Sequence, residues 1–115
     1  AEEDLRNAEH TLTLKEDCPF STICFHAQQT IEKYIKAFLT LHAIPFARTH
    51  DIENLMHQLP AEIQLPLSVV EQRLLTDYAT VSRYPGEWEP VDLTDAELAV
   101  TLAQKVREVI RPHLV

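Results

Sequence analysis

The sequence predicts an all-α fold, packed as a compact helical bundle, and three observations lead there. Apolar residues recur at spacings of three and four through most of the 115 residues. One Gly stands against seven Pro, and no Asn-Gly or Asp-Gly pair offers the tight turn a β-hairpin needs. Two stretches, "SVVE" and "TDAE", read as helix-opening capping boxes. A chain of this length forms one domain, residues 1–115, able to bury a core unaided.

Five helical segments follow in order. The first, about 1 to 15, carries Leu5, Ala8 and Leu12 on one stripe. Pro19 can open the second, since its missing N–H costs nothing in a first turn. This helix runs to about Ala43, with Ala27, Ile31, Ile35, Phe38 and His42 along one side. Its length marks it as the element on which the others pack. A third, shorter helix is expected from about Thr49, as N-cap, to Leu59, with Asp51 and Glu53 favoured by the helix dipole. The fourth follows Pro66 through the Ser68–Glu71 capping box, with Leu67, Val70, Leu74, Tyr78 and Val81 as its apolar face. Pro85 and Gly86 break it. The last opens at "TDAE", with Thr94 and Glu97 as the box and Leu93 and Leu98 at the staple positions. Its core stripe runs from Ala99 to Ile110, and Pro112 ends it.

The formal net charge of −8 is wrong for a protein that grips DNA or other nucleic acid by neutralising phosphates. A small basic pocket for one nucleotide or one RNA end remains compatible with it. No apolar run approaches the roughly 18 residues of a membrane span, and no signal peptide is visible, so a cytoplasmic protein is expected. Cys18 and Cys24 lie six apart, on nearly opposite helical faces, and read as two buried thiols.

Three stretches could carry chemistry. In "FHAQQTIEKYIKAFL", Gln28, Glu32 and Lys36 form a polar line beside the Ile31–Ile35–Phe38 stripe, with Gln29 and Lys33 on the next strip. That line is either a solvated face with an exposed Glu32–Lys36 pair or the lining of a groove. In "ARTHDIENL", Arg48, His50 and Asp51 gather at a helix start, where free amides favour anions and His50 can titrate near neutral pH. The alternative there is a capping cluster. His57 shares a helical face with His50, but two His without a third ligand make no metal site, and neither metal nor cofactor is expected. In "SRYPGEWEP", Arg83 offers a planar fork for phosphate and Tyr84 a stacking surface, in a loop where a helix must stop.

Together, "FHAQQTIEKYIKAFL", "RTHDIENLMHQL" and "SRYPGEWEP" resemble, in order and separation, the HEPN-domain proteins of prokaryotes over nearly the whole chain. The resemblance implies an up-and-down bundle of four to five helices, commonly a homodimer. It also implies association with a minimal nucleotidyltransferase partner in toxin–antitoxin-like pairs, and a nucleotide or RNA ligand in several branches. Catalytic branches are metal-independent ribonucleases carrying an Arg, then four to six residues, then a His. No His follows Arg83 within "YPGEWEP". Arg107 and His113 meet the spacing, but on a terminal helix where that motif is not normally found. Weak catalytic candidates are therefore His50, Arg83, Arg107 and His113. The favoured expectation is a binding module whose ligand residues are Gln28, Glu32, Lys36, Arg48, His50, Asp51, Arg83 and Tyr84. A ribonuclease acting at a dimer cleft is the runner-up. A purely structural subunit, with exposed Tyr34, Phe46 and Trp88 as anchors, is the third reading.

Overall fold

A computed structural model describes residues 1–12, 20–80 and 92–114. The expectations for Cys18, Pro19, Val81, Arg83, Tyr84, Pro85, Gly86 and Trp88 fall outside the described residues. Within them, five α-helices and a closing 3-10 turn make up the fold. They are α1 (Glu2–Leu12), α2 (Phe20–Leu41), α3 (Ile52–His57), α4 (Val69–Thr80) and α5 (Leu93–Ile110), followed by the turn Arg111–Leu114. The radius of gyration is 13.8 Å, close to the roughly 13 Å of a well-packed domain of this size.

The long α2 is the central rod. Ile23, Cys24, Ala27, Ile31, Ile35 and Leu39 are all fully buried, and α1, α3, α4 and α5 all pack against it. Residues that face three or four sides of a helix cannot be arranged as one stripe, which is why its apolar set is broad. α5 lies along α2 with Ala96, Ala99 and Ala103 inward, small residues that let the two backbones approach. Gln104 of α5 donates to Glu9 of α1 at 2.6 Å, and Lys33 of α2 pairs with Asp4 of α1 at 2.5 Å. Burial pushes the Cys24 thiol up to about 12, so this sulfur is packing and not a nucleophile.

α2 ends two residues earlier than its apolar pattern suggests. Ala43 adopts φ 57°, Ile44 N–H reaches back to the Leu39 carbonyl at 2.8 Å, and Ala43 N–H to that of Thr40 at 3.1 Å. This is a Schellman closure built on an alanine where Gly is usual, at a conformational cost of roughly 1 kcal/mol. His42, expected on the core stripe, is exposed and stacks on Phe38 with ring centroids 4.2 Å apart.

The helix starts show where local reading succeeds and where it slips by a residue or two. The Ser68–Glu71 box opens α4 as expected, with Ser68 N–H on Glu71 at 2.9 Å and Glu71 N–H on Ser68 at 3.1 Å. Its apolar face is corrected: Val70 is 75% exposed, and Gln72, Leu75, Tyr78 and Ala79 turn inward. The helix begins at Val69, so Leu67 sits before it; Leu67 and Tyr78 are nevertheless buried as expected and Leu74 packs against the core, leaving Val70 as the misplaced member among the described residues. The α5 box is Asp92 with Asp95, not Thr94 with Glu97. Two acidic residues three apart satisfy the same geometry one half-turn sooner, and Leu98, no staple, is 39% exposed. α3 is capped by Asp51, whose carboxylate accepts from Asn54 N–H at 3.1 Å, while Thr49 accepts from Asp51 N–H at 3.0 Å. Thr49 therefore supports the cap instead of being it. The Ile52 N–H, an orphan of the first turn, donates to Thr76 of α4 at 2.9 Å.

Candidate functional site

The polar flank of α2 is neither a wet face nor an open slot. Gln28 is fully buried and Glu32 is 4% exposed, because the segment leading into α3 lies over them. Glu32 is the hub. One carboxylate oxygen, Oε1, accepts from Gln28 Nε2 at 2.9 Å and meets His50 Nδ1 at 2.8 Å. The other, Oε2, accepts from Lys36 Nζ at 2.9 Å. Gln28 Nε2 also reaches the His50 carbonyl at 3.5 Å, and Gln29 donates to Gln28 Oε1 at 2.7 Å. The Glu32–Lys36 pair expected at the surface thus has a buried carboxylate and a three-quarters-buried lysine.

The electrostatics follow from that arrangement. Burial alone would push the Glu32 carboxyl up, but hydrogen bonds from Gln28, Lys36 and His50 together outweigh it and hold the group below its ordinary value. Glu32 is therefore a carboxylate at neutral pH. An ionised acceptor makes Nδ1 of His50 the protonated ring nitrogen, which fixes both tautomer and ring plane. About half of the His50 side chain stays in solvent, and among the described residues nothing hydrogen-bonds its Nε2.

The remaining candidates sort by place. Arg48 is exposed two residues before His50, on the same segment, and Asp51 is committed to the α3 cap. His50 precedes the first turn of α3, so the helical face it was expected to share with His57 does not exist. Arg107 and His113 have separate partners: Arg107 pairs with Glu2 at 3.1 Å, and the His113 ring lies edge-on to Phe38 at 6.0 Å. Tyr34, expected as an exposed anchor, is 4% exposed with its hydroxyl on Glu2, and Phe46 is half-buried. Arg83 and Tyr84 lie outside the described residues. Among the described residues no group of three or more His, Cys, Asp or Glu could hold a metal, and no helix is long and apolar enough to cross a membrane.

A second carboxylate–imidazole contact was not foreseen: His26 Nδ1 lies 3.0 Å from Asp4, the residue that also holds Lys33. No local signal could have shown it, since its members stand 22 residues apart on two helices.

A long buried rod with a polar hub on its flank defines the chain as a small all-α bundle, without naming its family. The comparison of sequences does so. The chain matches the HEPN domain over residues 1–113 and belongs to that family. It is 32% identical over 130 aligned positions to a Methanocaldococcus jannaschii protein named "Putative toxin MJ1304", covering 99% of this chain and 83% of that one. No solved structure matches it.

Proposed function

We propose that this HEPN domain is a binding module of a toxin–antitoxin-like pair, holding a nucleotide and docking, as a homodimer, onto a nucleotidyltransferase partner. The toxin name of the archaeal relative and the family support the pairing. The observation that carries the ligand reading is the corner above Glu32. There a half-exposed imidazole is held by a buried carboxylate, Lys36 stands on the same carboxylate, and exposed Arg48 lies two residues away. In this reading Gln28 and Glu32 position the corner, Lys36 and Arg48 meet the phosphates, and His50 joins them through Nε2–H when its ring carries a second proton. Calorimetric titration of the whole chain with ATP tests it. His50→Ala should weaken ATP binding by about tenfold, equivalent to roughly 1.4 kcal/mol, with little change in thermal midpoint. Equal affinity in wild type and variant would count against the corner as the ligand site.

The same contact favours a second reading. In the neutral ring, a carboxylate on Nδ1 places the lone pair on Nε2, the form a general base needs, so a metal-independent ribonuclease centred on His50 is the alternative. Incubation with single-stranded RNA in chelator separates the two. Cleavage that His50→Ala abolishes would support the nuclease. Intact RNA across about pH 6 to 9, the range in which an imidazole titrates, would remove it.

A further inference from the structure

On another face of α2 from the Glu32 corner, three donors from two helices and the closing turn converge on one side chain. Tyr34 of α2 gives its hydroxyl to Glu2 Oε2. Arg107 of α5 contacts Glu2 Oε1 through Nη2 at 3.1 Å, and Arg111, four residues on, meets the same oxygen through Nη1 at 3.6 Å. We propose that Tyr34, Arg107 and Arg111 form an oxyanion cradle in which Glu2 is a built-in occupant, and that a phosphorylated ligand takes its place.

Charge and geometry both point to an exchangeable occupant. Two guanidiniums face one carboxylate, so Glu2 neutralises only half of what surrounds it. A phosphate monoester, carrying −1.5 to −2 near pH 7, matches two arginines more closely. Each guanidinium has five N–H donors, and both here share a single oxygen, at distances longer than a good charge-assisted bond. The side chains of the cradle differ in exposure in a useful way. Tyr34 is 4% exposed and fixed at the floor, whereas the Arg111 side chain is 59% exposed and that of Glu2 is 43% exposed. Glu2 can therefore swing out without opening the core.

There is also room. A surface hollow of about 530 Å³ is lined by Arg107, Glu108, Arg111 and Pro112. A second, of about 690 Å³, brings Arg111 together with Tyr34, Ala37, Lys33 and Glu2. Arg111 lines both, and each hollow carries further members of the cradle. Lys33 is committed to Asp4, and Glu3 in one hollow and Glu108 in the other oppose an anion, so specificity falls on the two arginines. Burial first, and then the Glu2 contact, push the Tyr34 hydroxyl up to about 12, so it remains a donor at any physiological pH. The cradle shares no residue with the Glu32 corner, and its fate does not decide that of the proposed function.

Inorganic phosphate is the probe, titrated into the whole chain and followed by the side-chain Nε–H signals of Arg107 and Arg111. In wild type both signals should move. Glu2→Gln keeps an acceptor for Tyr34 but removes the competing charge, and should bind phosphate about tenfold tighter. Adding Arg107→Met to that variant should return the affinity to the wild-type value or below. Unmoved arginine signals in wild type, or a Glu2→Gln variant of native helix content that binds phosphate no better, would overturn the cradle. So would Arg107→Met without effect in the Glu2→Gln background. If Glu2→Gln loses helix content, Arg111→Met in the wild-type chain takes its place. Loss of the phosphate response supports the cradle, and an undiminished response overturns it.

Discussion

Alanine at Ile31 should lower the unfolding free energy by about 3 to 4 kcal/mol, the middle of the range for deleting a buried isoleucine side chain. Ile31 is fully buried in the middle of α2, the helix against which α1, α3, α4 and α5 all pack. A cavity at that point is bounded by elements that are themselves tied to one another, by Gln104–Glu9 between α5 and α1 and by Thr76–Ile52 between α4 and α3. Collapse onto it is therefore restricted, and the cavity cost stays high. For a domain of this size, about 4 °C of midpoint accompanies each kcal/mol, so thermal unfolding should shift down by roughly 12 to 16 °C. A loss below about 1 kcal/mol in urea titration would mean that α2 is not the element holding the bundle together.

Leucine at Glu32 should cost about 2 to 3 kcal/mol, although it adds apolar surface to a buried position. The reason is what it strands. Gln28 is fully buried, and without Glu32 its amide N–H donors keep only the 3.5 Å contact to the His50 carbonyl. A buried donor left without a good partner costs about 1 to 3 kcal/mol. Lys36 and His50 reach water and adapt, which holds the total below the 3 to 5 kcal/mol typical of breaking a fully buried pair. Glutamine at the same position retains the shape and one acceptor, so it should cost less, and its cost should depend on pH. The Glu32 carboxyl is held below its ordinary value in the folded chain. A depressed folded value binds fewer protons than the unfolded chain does, so its contribution is complete above the unfolded value and is lost as pH falls through the folded one. The gap between wild type and Glu32→Gln in urea titrations should thus be widest at neutral pH. It should close as pH drops below about 4.5, the ordinary value. A gap that is constant with pH would show that the charge of Glu32 is not what the network uses.

What could be read in the sequence was mostly what is decided within one or two turns. Ser68 and Glu71 form their box because both partners lie three residues apart and nothing distant competes. The α5 start slipped by two residues because Asp92–Asp95 and Thr94–Glu97 overlap, and only the chain's path selects between them. The flank of Gln28, Glu32 and Lys36 was visible as a line, since helical spacing alone places it. Its burial was not, because the cover is His50, 18 residues further along. Tyr34 was misplaced for the same reason. A polar tip on an otherwise buried ring needs a partner, and that partner is Glu2, 32 residues earlier on another helix. Pattern locates faces; only the fold says what lies against them.

The central claim is that an ionised, buried Glu32 holds His50 by its Nδ1 proton and so presents Nε2 outward. Long-range proton–nitrogen correlation spectra of the ring, recorded at about pH 8 where an ordinary imidazole is neutral, test this directly. The account predicts His50 in the Nδ1–H form, shifting toward the Nε2–H form preferred by a free histidine side chain in Glu32→Leu. An Nε2–H ring in the wild-type protein, unchanged by that substitution, would contradict it.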